Sequence, residues 1–548
     1  MAEAVEGAAA GPVRVIAGAS IGTLFEWYDF FLYGSLASYI AKHFFAGVDE
    51  RTSFLFALGA FAAGFIARPF GALVFGRVGD VVGRKNTFLV TMTIMGASTF
   101  IVGLLPGYET WGVAAPVLLV ALRLVQGLAI GGEYGGAAIY VAEHAPADRR
   151  GRDTSWINAM ATCGLITSLL VTIACRLAMR AETFAAWGWR APFLLSALLL
   201  GVSLWIRMSL SESPVFQRMK EEAAISAAPM SEAFGRWSNV KLILIALFGT
   251  ICGSTSIWYT AQFYALFFLQ KMAKVDDLAA SALVALALAL ALPAFFFMGW
   301  LTDRIGRKPV MVAGTAIAAV VIFPLFHALT WAANPALSAA QRSAPVTVSA
   351  DPATCAVQFD PVGAGRFDAS GCDIAKAFLT RAGVSYRTAA APSGALATMR
   401  VGAATLAAPD PRGLDDKGRA RAAAGFAAEA RAALKAAGYP DAAAPAGVNA
   451  PVVVAIVFVL VLLAASTYAP SAAFLVELFP ARIRYTSLSF PYHLGSGWIG
   501  GLLPATAFAI VTANGDIYSG LWYPVGFCAL ATVVGLLFLP ETRGRPID

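Results

Sequence analysis

Charge is scarce in this 548-residue chain: Asp, Glu, Lys and Arg make up 13% of it, where an ordinary soluble domain has about 25%. With 58% hydrophobic residues, the bilayer and not a single large core is its natural solvent. Histidine is sparse too. The four residues are scattered singly and suggest neither a metal cluster nor a nucleophilic triad. No Gly-x-x-x-x-Gly-Lys-Ser/Thr phosphate loop occurs, so direct ATP drive is unsupported. The chain reads as a non-enzyme without metal or cofactor.

What is present is a series of twelve apolar segments, each near the roughly 20 residues that cross a bilayer. Six fall in 1–208, a first bundle. A linker follows at 209–239, then three spans in 240–331 and three in 450–548. The first, near 14–40, lacks a strongly basic leader and a cleavage site and reads as a retained span. The short connections on the N-terminal side hold most of the Lys and Arg, which predicts both termini in the cytoplasm. This bias also absorbs much of the net charge of +7, so a basic rim beside anionic lipid is expected and nucleic acid is not.

Residues 332–449 have no 20-residue apolar run and read as a small soluble α/β insertion between the ninth and tenth spans, outside the cytoplasm. Strands are expected at 346–350 and 355–359 and a helix at 419–437. A disulfide between Cys355 and Cys372 is chemically permitted on that side. The other four cysteines lie in spans as packing residues.

The decamer Gly76-Arg-Val-Gly-Asp-Val-Val-Gly-Arg-Lys85 returns as Gly299-Trp-Leu-Thr-Asp-Arg-Ile-Gly-Arg-Lys308. The interval is too long for a solenoid unit and suits a six-helix half, hence an all-α membrane protein of two parallel repeats. Gly76 and Gly83 permit tight turns. Asp80 with Arg84, and Asp303 with Arg307, are candidate gate charges able to exchange partners between conformations; in an isolated loop they would read as headgroup anchors and helix caps.

These loops resemble those of the major facilitator superfamily, and the likeness covers all but the insertion. Gly22-Thr-Leu-Phe-Glu-Trp-Tyr-Asp-Phe30, Arg68-Pro-Phe-Gly71, Arg123-Leu-Val-Gln-Gly-Leu-Ala-Ile-Gly-Gly-Glu133, Trp189-Arg-Ala-Pro-Phe193 and Glu477-Leu-Phe-Pro-Ala-Arg-Ile-Arg484 resemble its metabolite:proton symporters. The resemblance implies import of an organic acid (a mono-, di- or tricarboxylate) with a proton, by alternating access in a bacterial-type cytoplasmic membrane. A proline- or betaine-type osmolyte is the alternative, and a sensor using the insertion a further one. Tyr492-His493 departs from the family's Tyr-Asn at this point and weakens any transfer of substrate identity. The fifth span lacks the Gly-Pro-x-x-Gly of drug:proton exporters.

Position along the spans points to the same places. Glu26 lies about 18 Å along its helix from Arg14, near the bilayer middle, with Asp29 on the same face. Arg68 lies about 12 Å from Gly76, also near the middle. Glu133 is placed at mid-depth on the fourth span and Arg123 nearer the outer side. Charges so deep normally face a cavity or a partner. Arg68 is either the anchor for a substrate carboxylate or half of a permanent structural pair. Glu26, Asp29, Arg123, Glu133 and His493 are candidates for proton coupling, His493 also reading as a satisfied hydrogen-bonding residue. Tyr28, Trp258, Tyr259, Gln262 and Tyr468 are candidates for substrate contact. Gly127, Gly131 and Gly135 form a close-packing strip.

Overall fold

The computed structural model describes residues 12–46, 50–208, 212–222, 225–359 and 367–547; the parts of the ranges above at 1–11, 47–49, 209–211, 223–224, 360–366 and 548 lie outside it. The first half contains α1 (Pro12–Ser35), α2 (Glu50–Val81), α3 (Arg84–Leu104), α4 (Ala114–His144), α5 (Arg150–Ala178) and α6 (Ala191–Met208). The second begins with α7 (Trp237–Met272), α8 (Asp277–Ile305) and α9 (Arg307–Ala333). After the insertion helices α10 (Gly371–Arg381) and α11 (Asp416–Ala436) it ends with α12 (Ala450–Leu478), α13 (Ala481–Asn514) and α14 (Ser519–Phe538). Among the described residues, eleven of these helices are long and apolar enough to cross a membrane. α1, which carries Glu26 and Asp29, is the remaining helix of the bundle and packs on α4, α5 and α6.

Glycine sets how closely the helices approach. On α4, a Cβ at Gly127 would strike the Gly64 carbonyl of α2, and one at Gly131 the Arg68 carbonyl. Gly135 instead faces Ser489 and Tyr485 of α13, so the small-residue strip touches both halves. α7 widens into π turns at Leu247–Ile251, Thr260–Tyr264 and Phe268–Met272, and α13 at Leu494–Gly501. Such bulges concentrate at functional sites, and these flank Trp258, Tyr259 and His493.

The insertion is a four-stranded sheet in the order β2-β1-β3-β4: β1 (Val346–Ala350), β2 (Tyr386–Ala390), β3 (Thr398–Val401) and β4 (Ala404–Ala407). β1 runs parallel to β2, reached through α10, and antiparallel to β3. Val346, Val348, Met399 and Val401 share its core with Phe378 of α10 and Phe426 of α11. Residues 355–359 are not the strand their composition predicts. Ala356 N donates to the Asp373 carboxylate (2.8 Å) and Gln358 Nε2 to the Asp373 carbonyl (2.9 Å), so α10 and not a sheet edge satisfies this segment.

Cys355 and Cys372 are bonded, with Cα atoms 5.4 Å apart. Closing a loop of this size restricts the unfolded chain by about 3 kcal/mol. Reduction, or replacement of both by Ala, is therefore expected to lower the melting of the insertion and leave the bundle's unchanged; hydrogen exchange resolved by peptide checks this.

Candidate functional site

The duplicated decamers form the turns between α2 and α3 and between α8 and α9. Gly83 (φ 125°) and Gly306 (φ 107°) adopt left-handed backbone there, which a side chain would strain. The N–H groups that open each following helix need acceptors. Glu212 takes Arg84 N and Lys85 N (3.2 Å each), and Glu541 takes Arg307 N (2.9 Å) and Lys308 N (3.1 Å). Burial alone would raise the Glu541 carboxyl, but its backbone donors hold it below the usual glutamate value.

The duplicated aspartates reach across to the opposite half. Asp80 accepts from Tyr485 N (3.1 Å), Thr486 N (3.0 Å) and Thr486 Oγ1 (2.8 Å) at the start of α13. Asp303 accepts from Gly151 N and Arg152 N (2.8 Å each) at the start of α5. The arginines converge on two other acids. Glu143 takes Arg484 at 2.9 Å and lies 3.9 Å from Arg84; Glu477 takes Arg150 at 2.9 Å and Arg307 at 3.1 Å. Arg307 also pairs with Asp303 at 2.6 Å. Asp80 and Arg84, grouped as a gate pair by their spacing, thus bond to different partners, because two N–H groups of the other half compete for Asp80. The face that carries these loops is bolted shut.

Deeper in, α1, α2 and α4 bring two arginines together. Arg68 is fully buried, its Cζ 4.4 Å from the Phe30 ring, 4.8 Å from Phe65 and 5.0 Å from Trp27. Its Nη1 donates to Tyr259 Oη of α7 at 3.4 Å, while Nε and Nη2 have no hydrogen-bond partner among the described residues. Arg123, also fully buried, reaches the same Phe30 ring at 4.6 Å and then Tyr33 and Phe61, about one turn further from the Gly76 loop than the rings around Arg68, in keeping with its axial position. Arg123 Nη1 donates to Gln126 (2.6 Å), and Gln126 to Thr99 of α3 (3.0 Å), beside which Asp29 lies. Glu26, Asp29 and Glu133 are buried in the same half, and Glu133 accepts from Thr23 at 3.1 Å.

The second half closes this interior with rings. Trp258 lies 5.9 Å from Trp27 and 5.8 Å from Tyr468, and Gln262 donates across the seam to Thr162 at 3.3 Å. His493 is buried, 5.0 Å from Tyr492, with neither ring nitrogen hydrogen-bonded among the described residues.

A family model described as sugar (and other) transporter matches residues 15–242 and 420–548. The chain belongs to this family of the major facilitator superfamily. The transporter is 36% identical to the shikimate transporter of Escherichia coli (strain K12) over 58% of its own length and 72% of that protein's. It is 36% identical to the alpha-ketoglutarate permease of the same organism (59% and 73%) and 32% identical to the proline/betaine transporter of Salmonella typhimurium (57% and 64%). Its fold matches that of the proton:xylose symporter XylE bound to 6-bromo-6-deoxy-D-glucose with a TM-score of 0.62 at 15% identity, over 98% of this chain and 97% of that one.

Not every candidate of the transporter faces its interior with a free group. The Tyr28 hydroxyl donates to the Pro192 carbonyl (2.7 Å) and ties α1 to α6. Sequence reasoning passed over Tyr134, which stacks on Tyr492 at 3.5 Å, and Asn158, which donates to the Tyr468 carbonyl at 2.7 Å. Neither carries a local signal, since each acquires its place only through a helix of the other half. Glu212 and Glu541 had one: both follow the last helix of a half, in Ser211-Glu-Ser and Pro540-Glu-Thr.

Proposed function

We propose that the transporter is a proton-coupled symporter of a small organic acid, with the duplicated loops in the cytoplasm and the insertion outside. The carrying observation is Arg68: a guanidinium sealed among rings, with two nitrogens that have no hydrogen-bond partner among the described residues. Its planar fork suits a carboxylate, which it binds through two parallel hydrogen bonds. Both the shikimate transporter and the alpha-ketoglutarate permease carry the name of a carboxylate, which supports this class. Trp258, Tyr259, Gln262 and Tyr468 line the other side, and the closed loop face together with the ring-sealed interior is one stage of alternating access.

For the proton, Glu26, Asp29, Glu133 and His493 are the candidates, each buried within the bundle. Arg123, through Gln126 and Thr99, positions the Asp29 side of this set. A proline- or betaine-like zwitterion is the second reading, favoured by the likeness to the proline/betaine transporter and by having acids and arginines in one interior.

Uptake of labelled carboxylates and betaines into proteoliposomes, with and without an inward proton gradient, separates the readings. One carboxylate is expected to accumulate only with the gradient. Gradient-driven uptake of betaine alone would transfer the assignment to the osmolyte reading.

A further inference from the structure

The insertion does not float above the bundle. Lys274, in the turn between α7 and α8, is the single non-glycine residue with a left-handed backbone (φ 59°) among the described residues. Such a conformation persists only where surrounding contacts enforce it. Here the Lys274 carbonyl accepts from Ala443 N (2.9 Å), and its Nζ donates to the Pro440 carbonyl (2.8 Å), clamping the chain that leaves α11. On the opposite side of the joint, Tyr386 N donates to the Gly515 carbonyl at 2.7 Å and Ser385 Oγ to Asp516 at 3.2 Å.

Beside the Lys274 clamp lies a cleft of about 430 Å³, within the size range of small-molecule sites. Lys271 and Lys274 line it from the bundle and Arg381 and Arg431 from the insertion, over an apolar floor that includes Tyr439. Among the described residues that line the cleft, Asp441 is the one carboxylate beside these four cations. Burial lowers the Lys274 ammonium below the usual lysine value, with Asp441 opposing, so an added anion would be favoured beside it. A second cleft, of about 160 Å³, shares Gln270 and Lys271 with the first. It opens on the seam between the halves, where Ser35 of α1, Arg176 of α5 and Asp277 of α8 meet.

We propose that the cleft under the insertion is an accessory binding site for small organic anions bearing carboxylates, which it concentrates and passes over Lys271 to the seam. The proposal rests on the carboxylate reading above. The surplus of positive charge, and not the shape of either guanidinium, supplies both attraction and steering. A cleft lined by one sign of charge raises the local concentration and arrival rate of an opposite charge. The site is distinct from Arg68, which lies within the bundle.

The test uses the full chain as wild type, R381Q/R431Q and the charge-preserving R381K/R431K. Both positions lie on the insertion and not on a spanning helix, and their side chains are exposed. At an ionic strength of about 0.01 M, where charges act over roughly 30 Å, the Gln variant should raise the apparent KM for the transported carboxylate by about tenfold, within the range of electrostatic steering. The maximal rate should stay constant and the Lys variant should keep the wild-type KM. The difference should vanish near 1 M salt, where the range falls to about 3 Å. An unchanged KM in R381Q/R431Q at low salt overturns the proposal while leaving carboxylate symport intact. Should no carboxylate be transported at all, equilibrium binding of citrate to the same three proteins decides the cleft separately. Weaker binding in the Gln variant alone supports it, and equal binding in all three overturns it.

Discussion

Gradient-driven uptake by the Arg68→Gln protein is expected to fall about a thousandfold, with the protein folded and inserted as before. A guanidinium removed from water without a counterion costs several kcal/mol, and each ring face returns only about 0.5–2 kcal/mol. Arg68 has three rings, one 3.4 Å bond to Tyr259 and no ion pair among the described residues. Neutralising it therefore removes a strained charge from the empty protein and leaves stability equal or higher. In the loaded protein it removes two charge-assisted hydrogen bonds of about 1.5–3 kcal/mol each, and every 1.4 kcal/mol is about a factor of ten. Arg68→Lys restores the charge without the fork and should recover a small part of the activity. Initial uptake rates and thermal melting of one preparation provide the check. Saturable uptake with unchanged affinity in Arg68→Gln would leave Arg68 a structural residue.

Glu477→Gln is expected to open the loop face. Glu477 is fully buried at its side chain and holds Arg150 of the first half and Arg307 of the second, while Thr542 Oγ1 donates to it at 2.8 Å. Removing one member of such a buried group costs about 3–5 kcal/mol because the remaining charges lose compensation. Arg150 and Arg307 then gain by reaching water, which they do when the halves part on that side. A population near 1:99 moves close to 99:1 for about 5.5 kcal/mol, so the single substitution should populate the opened form substantially. Glu143→Gln, which frees Arg484 in the repeat-related position, should act in the same direction. Spin-label distances between the start of α5 and the end of α8 should lengthen in both variants. Unchanged distances would show that the aspartate caps alone keep the face closed.

The spans and the duplication were legible in the chain because a bilayer imposes them locally. Each crossing needs its own apolar run, and each tight turn its own glycine, as at Gly83 and Gly306. The burial of Arg68, Glu26 and Asp29 was legible too, because a charge within an apolar run has to turn inward. Bonds between halves were not legible. Arg484 and Glu143 are 341 residues apart, and Arg150 and Glu477 are 327 apart. No local pattern tells Asp80 to cap α13 in preference to pairing with Arg84. The proximity of Arg123 to Arg68 was missed because it depends on a ring, Phe30, supplied by a third helix. The segment 355–359 misled because a β-like composition says nothing about a helix, α10, already offering acceptors.

The insertion's attachments have a mechanical corollary. It grips the end of α7 through Lys274, the end of α9 through continuous chain, and the α13–α14 turn through Gly515 and Asp516. Three helix tips of one half are thus tied to a single cross-linked sheet domain, like legs joined by a stretcher. That half cannot splay at this end, so any bending that opens a path there must come from the unbraced tips of α1, α2 and α5. The repeat is symmetric in sequence at its loops and asymmetric in stiffness at the opposite rim.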